Sequence, residues 1–198
     1  GYAIAEYVAR LGEQILKIKN NAYNLRGKLS GAVGAYNASS LLFDDPFEFE
    51  REVLAELKLK PATHSTQVLS PEFILDLTHS IISCYGILAN LSDDMRHLQR
   101  SEILEVAEEF GKDQVGSSTM PHKRNPINFE NVKSMWKVTM PKMFTLYSDQ
   151  ISEHQRDLTN SASSRFIPEI YVCFLESVLR LNKQMSKLIV DKKHIQEN

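Results

Sequence analysis

Apolar residues recur at helical spacing along most of this chain, and the places where the recurrence fails are few and polar. Ile4, Val8, Leu11, Ile15, Ile18, Ala22 and Leu25 follow a 4-3-4-3 rhythm that lays one stripe along a helix, predicting helix over residues 1–28. Gly27, Gly31 and Gly34 then break the pattern, where close backbone approach or a positive φ is expected. Asp44-Asp45-Pro46 starts a shorter helix to about Leu57, which Lys60-Pro61 stops. Ser70-Pro71-Glu72 is a second helix start. After it Ile74, Leu77, Ile81, Cys84, Leu88, Leu91, Met95 and Leu98 keep a heptad alternation. A helix over 71–98 would be roughly 42 Å long at 1.5 Å per residue, packed at a shallow angle on its neighbours.

Residues 101–110 continue helically after a possible break near Arg100-Ser101, and Gly111 closes that segment. Beyond residue 125 a helix carries Phe129, Val132, Trp136, Met143 and Leu146 on one stripe, with Pro141 expected to kink it. A last helix carries Tyr171, Phe174, Val178, Leu181, Met185 and Leu188 and ends in Lys192-Lys193-His194, cations suited to a helix C-terminus. No segment shows strand alternation. The expected fold class is all-α: one domain, 1–198, built as a long antiparallel helical bundle.

With 42% hydrophobic and 24% charged residues, the chain of 198 can bury a core. A net charge of −2 without any block of like charge argues against nucleic acid or an anionic membrane as a partner. Cys84 and Cys173 lie inside apolar helical patterns, as buried thiols in a reducing compartment would. No apolar run reaches the roughly 18 residues of a membrane span, and residues 1–10 lack a signal-peptide pattern. A soluble cytoplasmic protein is expected. The histidines have no metal-site pairing, and neither metal nor cofactor is expected.

Chemistry concentrates in three polar interruptions, 63–67, 116–125 and 152–165, which hold His64, His122 and His154. In 116–125, Gly116 permits a sharp turn, Ser117, Ser118 and Thr119 stack hydroxyls, and His122, Lys123 and Arg124 add cationic or protonatable groups. Asn125 reads as an N-cap with Pro126 at the first helical position, so free N–H groups and the helix dipole would favour a small anion or carboxylate there. The other reading is a flexible surface loop before a capped helix. In 152–165 the spacing of Arg156, Ser161 and Arg165 allows two guanidinium groups to flank a hydroxyl, which suits phosphate or carboxylate. On spacing alone a solvated turn with ordinary N-caps fits that stretch better. If all three stretches serve one site in an elongated bundle, more than one subunit is needed.

The run Gly116-Ser117-Ser118-Thr119-Met120-Pro121-His122-Lys123-Arg124-Asn125-Pro126 resembles the signature loop of the fumarase/aspartase superfamily, Gly-Ser-Ser-x-Met-Pro-x-Lys-x-Asn-Pro. Lys28-Leu29-Ser30-Gly31-Ala32-Val33-Gly34, Ser65-Thr66-Gln67, and Gln155-Arg156-Asp157-Leu158-Thr159-Asn160-Ser161 with Arg165 are similar to its adenylosuccinate lyase branch. The resemblance implies homotetramers with shared active sites, and elimination of fumarate from adenylosuccinate or SAICAR in purine biosynthesis. It implies Ser117 as general base, and Glu130 as the group orienting a catalytic histidine. Gln67, Ser118, Lys123, Asn125, Arg156, Ser161 and Arg165 would bind substrate. That histidine belongs to a Thr-His-Gly-type stretch, which this sequence does not contain; none of His64, His122 or His154 matches its position. With no cap at Gly1-Tyr2-Ala3, the chain is expected to be a central-domain fragment lacking the N- and C-terminal domains, and inactive alone. The alternatives are the carboxymuconate cycloisomerase branch, which can share Met-Pro-His-Lys-Arg-Asn-Pro, argininosuccinate lyase, or a non-catalytic helical scaffold.

Overall fold

A computed structural model describes residues 2–109, 124–151 and 158–197. In chain order the elements are α1 (Tyr2–Tyr23), β1 (Arg26–Gly27), a 3-10 turn (Ser39–Leu41), α2 (Pro46–Glu56), β2 (Lys60–Pro61) and α3 (Glu72–Leu98). They continue with β3 (Val106–Ala107), α4 (Ile127–Thr139), α5 (Lys142–Ser148), a second 3-10 turn (Ser163–Arg165), α6 (Ile167–Met185), β4 (Ile189–Val190) and α7 (Lys192–Glu197). The architecture is the expected all-α helical bundle. The chain forms two compact units, one of Gly1–Leu11, Ile82–Met140 and Ile170–Asn198, the other of Gly12–Ile81 and Pro141–Glu169.

In the first unit the core gathers on the second half of α3, where Tyr85, Leu88, Leu91 and Met95 meet Phe129 and Val132 of α4 and Leu181 of α6. The Tyr85 hydroxyl sits 2.5 Å from Ser177 Oγ, so its polar tip is satisfied inside the core. Burial along α3 exceeds the single heptad stripe: Leu75, Thr78, Ile82, Ile87 and Ser92 are buried too. The hydroxyls of Thr78, Ser80 and Ser92 donate back into the helix, as Ser92 Oγ does to Leu88 O at 2.8 Å. By length and composition α3 could cross a bilayer, but 61% of its apolar window is buried in the protein, which is the profile of a core helix.

Several sequence expectations are corrected. The stripe read on α1 is rotated: Tyr7 is its one buried residue, while Val8 is 68% and Ile15 48% exposed. Polar tips set that face. Tyr7 donates its hydroxyl to Asp94, and Asn21 Nδ2 donates to Ser80 Oγ at 2.7 Å. Of the segment expected to continue helically, residues 101–109 are not helical. Leu104 takes a φ of 49°, and its N–H bonds back to Arg100 O at 2.8 Å, reversing the chain into β3, which pairs antiparallel with β4. A second short ladder pairs β1 with β2 in parallel, with Arg26 opposite Lys60. Two-residue strands are too short for alternation to reveal them. Lys192, Lys193 and His194 do not end the long helix; they open α7, whose first amides bond to Asp191 Oδ1 at 3.0 and 3.1 Å. Pro141 separates α4 from α5 and so ends a helix that was expected only to kink. The α2 expectation holds closely, with Asp45 Oδ1 accepting from both Phe47 N and Glu48 N at 2.9 Å.

Candidate functional site

In the second unit the glycine-rich segment 28–34 is bound to the polar run 63–67. Lys28 Nζ donates to Gly31 O at 2.8 Å and to Gln67 O at 2.9 Å, and Ser30 Oγ lies 2.8 Å from Ser65 Oγ. Gly31 and Gly34 have φ of 80° and 77°, the left-handed region that disfavours a side chain. Behind them Glu50, 3% exposed on α2, accepts from Leu29 N and, at 2.6 Å, from the Tyr36 hydroxyl. Burial, then the bond to Glu50, pushes the Tyr36 phenol up to about 12. The result is a cross-linked turn that fixes the backbone of Gln67 while its side chain stays exposed.

The turn at 158–165 is knitted by its own side chains. Asn160 Nδ2 donates to Asp149 O at 2.8 Å, Ser163 Oγ to Asn160 O at 3.0 Å, and Ser164 Oγ to Ser161 O at 3.0 Å. Ser161 and Arg165 are exposed on it, and Ser163 is buried beneath. Val68, Leu69 and Ser70, just after Gln67, share a cavity of about 420 Å³ with Asn160 and Ser164. The fold thus brings the neighbours of Gln67 and of Ser161 and Arg165 to one cavity, although nearly a hundred residues separate them in sequence.

In the first unit Asn125 and Glu130 line a cleft of about 870 Å³ together with Arg96, Arg100, Arg124 and Asp191. Glu130 stands exposed in the first turn of α4. That helix does not begin as the sequence suggested. Asn125 is not its cap and Pro126 is not its first residue: Pro126 occupies the cap position with φ −77° and ψ 63° and makes no side-chain cap bond. The capping oxygen comes from Glu108, 6% exposed, whose Oε1 accepts from Asn128 N at 3.0 Å and from Phe129 N at 2.8 Å. The amides expected to be free for an external anion already hold a carboxylate of the chain itself.

Ser117, Ser118, Lys123 and Arg156 lie outside the described residues, as do His122 and His154. Of the remaining expected residues, Gln67, Ser161 and Arg165 belong to one compact unit, and Asn125 and Glu130 to the other. Sequence reasoning missed Glu50 and Glu108, the two buried carboxylates that support these segments. Glu50 carries a weak signal, since it lies one turn before buried Leu54 on the same helix face. Glu108 carries none, because Glu105-Val106-Ala107-Glu108-Glu109 reads as a solvated acidic face.

Residues 1–140 match a protein-family model described as Lyase. The chain is 38% identical over 176 residues to an adenylosuccinate lyase of Pyrococcus abyssi, an alignment covering 88% of this chain and 38% of that protein. It is 35% identical over 191 residues to an adenylosuccinate lyase of Aquifex aeolicus, covering 96% of this chain and 42% of that one. The chain therefore spans about 40% of the length of such relatives. Among solved structures, the β-carboxy-cis,cis-muconate cycloisomerase of Acinetobacter calcoaceticus superposes with a TM-score of 0.81 at 21% identity, over 100% of this chain and 42% of that one. The 3-carboxy-cis,cis-muconate lactonizing enzyme of Pseudomonas putida gives 0.74 at 22% identity, over 97% of this chain and 42% of that one. At such identities the likeness is one of fold.

Proposed function

From the premise that this chain belongs to the lyase family of the fumarase/aspartase superfamily, we propose that the full-length protein cleaves adenylosuccinate to AMP and fumarate. SAICAR is the second substrate, split to AICAR and fumarate. The observation that carries this reading is identity of 35–38% to adenylosuccinate lyases over 88–96% of the chain, on a sequence that also bears the signature run at 116–126.

The reaction is a β-elimination. A base removes a proton from the succinyl carbon next to the carbon bearing nitrogen, the C–N bond breaks with its electron pair leaving on nitrogen, and an acid protonates that nitrogen. Ser117 is the base. An unaided serine hydroxyl holds its proton too tightly for this role, so its alkoxide needs stabilisation by Lys123 and neighbouring N–H groups. Lys123 and Asn125 hold the succinyl carboxylate, which gains charge as the proton leaves, and Ser118 and Gln67 complete the substrate contacts. Arg156, Ser161 and Arg165 take the nucleotide phosphate, for which two guanidinium groups around a hydroxyl are chemically suited. Glu130 orients the acid histidine, supplied by a stretch outside this sequence. A homotetramer would bring segments of different copies to each site.

The test is an absorbance assay on the full-length protein given, in parallel, adenylosuccinate or argininosuccinate, read as fumarate release, and carboxymuconate, read as its lactonisation. Turnover of adenylosuccinate alone is the expected result. No fumarate from adenylosuccinate ends the reading, and turnover of another substrate reassigns the branch.

A further inference from the structure

Glu108 has no part in the chemistry above, yet it is a carboxylate buried to 6% exposure, and such a group persists only where donors compensate its lost hydration. The compensation comes from the positive end of α4. Besides the two backbone amides, Asn128 Nδ2 donates to Glu108 Oε2 at 2.8 Å, and Arg180 Nη1 donates to Asn128 Oδ1 at 3.1 Å, which orients that side-chain amide toward the carboxylate. Gln99 grips the other side. Its Oε1 accepts the Glu108 N–H at 2.8 Å and its Nε2 donates to Arg124 O at 3.3 Å. Asn125 and Pro126 thus lie between two held points, Arg124 through Gln99 and Asn128 through Glu108, with Glu130 two residues further on. A serine or aspartate at the cap position would satisfy the same amides locally. A carboxylate reaching in from the residue after β3 does more, because it ties the start of α4 to the β3–β4 ladder.

Resting on the lyase reading, we infer that Glu108, braced by Gln99, is a positioning residue that fixes the start of α4 and hence the placement of Asn125 and Glu130 for the elimination. A merely structural cap would affect folding, whereas a positioning residue affects kcat in a protein that remains folded. In the full-length protein, Glu108→Gln keeps the size but replaces one acceptor oxygen by a donor NH₂ facing other donors. The expected result is an unchanged far-UV circular dichroism spectrum, kcat on adenylosuccinate lowered by ~10-fold or more, and KM within about threefold, as for displaced catalytic groups. Glu108→Asp, which keeps the charge on a shorter arm, recovers part of that loss. If the wild type turns over adenylosuccinate and folded Glu108→Gln does so within about twofold of it, the positioning role is overturned and the lyase reading stands. If the wild type releases no fumarate, the lyase reading fails and this inference fails with it. Should Glu108→Gln not fold, Gln99→Ala loosens the same brace without uncovering a buried charge, and an unchanged kcat in that variant overturns the inference.

Discussion

Replacing Gly34 by alanine tests the cross-linked turn that holds Gln67, and Gly31 provides its internal control. Both glycines have a left-handed φ, 77° and 80°, so an alanine at either costs about 1–2 kcal/mol in backbone conformation. They differ in what the new methyl group meets. At Gly31 it enters open space, whereas at Gly34 it runs into the carbonyl of Ser65 and lies 3.1 Å from Thr66 O, all of it backbone. Backbone cannot rotate aside, so the two segments must separate. Separation gives up the bond between Ser30 and Ser65 and strains the bond from Lys28 to Gln67 O, together about 2 kcal/mol when the exposure of the lysine is allowed for. Gly34→Ala is therefore expected to lose about 3–4 kcal/mol against about 1–2 for Gly31→Ala, read as the difference in urea unfolding between the two full-length variants. A gap below about 0.5 kcal/mol would show that the 28–34 and 63–67 segments are not braced as described. KM for adenylosuccinate should follow the same order, because only Gly34→Ala displaces the backbone of Gln67.

Ser117→Ala in the full-length protein should lower turnover by ~10² or more with KM little changed, as for loss of a general base; unchanged turnover would remove Ser117 from that role. Phe129→Ala deletes a side chain that is 0% exposed and should cost about 3–5 kcal/mol in urea unfolding, while a loss under ~1.5 kcal/mol would mean the core relaxes into the space. Burial, and then the bond to Asp94, raise the Tyr7 phenol to about 12, and Tyr36 is raised to about 12 by burial and Glu50. Unfolded tyrosine titrates near 10, so above that pH the native state binds more protons and stability falls between pH ~10 and ~12. Tyr7→Phe should flatten part of that decline and Tyr7→Phe with Tyr36→Phe most of it; an unchanged slope in the double variant would refute the assignment.

The long helices were legible because their apolar positions repeat at the period of the structure they form, and the repeat survives small errors of boundary. The stripes on α4 and α6 lie where their spacing put them, with Phe129, Val132 and Leu181 buried. The α1 stripe was misjudged because its packed face is anchored by the polar tips of Tyr7 and Asn21, which a hydrophobic count ignores. The break after α3 was foreseen near Arg100, but not its outcome. A non-glycine residue at positive φ and a two-residue strand leave no compositional mark.

Local chemistry sets some features of this chain without reference to the fold. The Asp45-Pro46 start of α2, the interruption at Pro141 and the glycine turns at 31 and 34 each depend on the φ a residue permits or the donor it lacks. The identity of the signature run belongs with them, since residue order alone carries it. Only the tertiary structure decides which group satisfies α4, because a helix end accepts any carboxylate brought within hydrogen-bond distance, and Glu108 arrives from twenty residues upstream. The same holds for Glu50 beneath the glycine turn. Both are acidic residues on a chain with 25 of them, and burial singles them out.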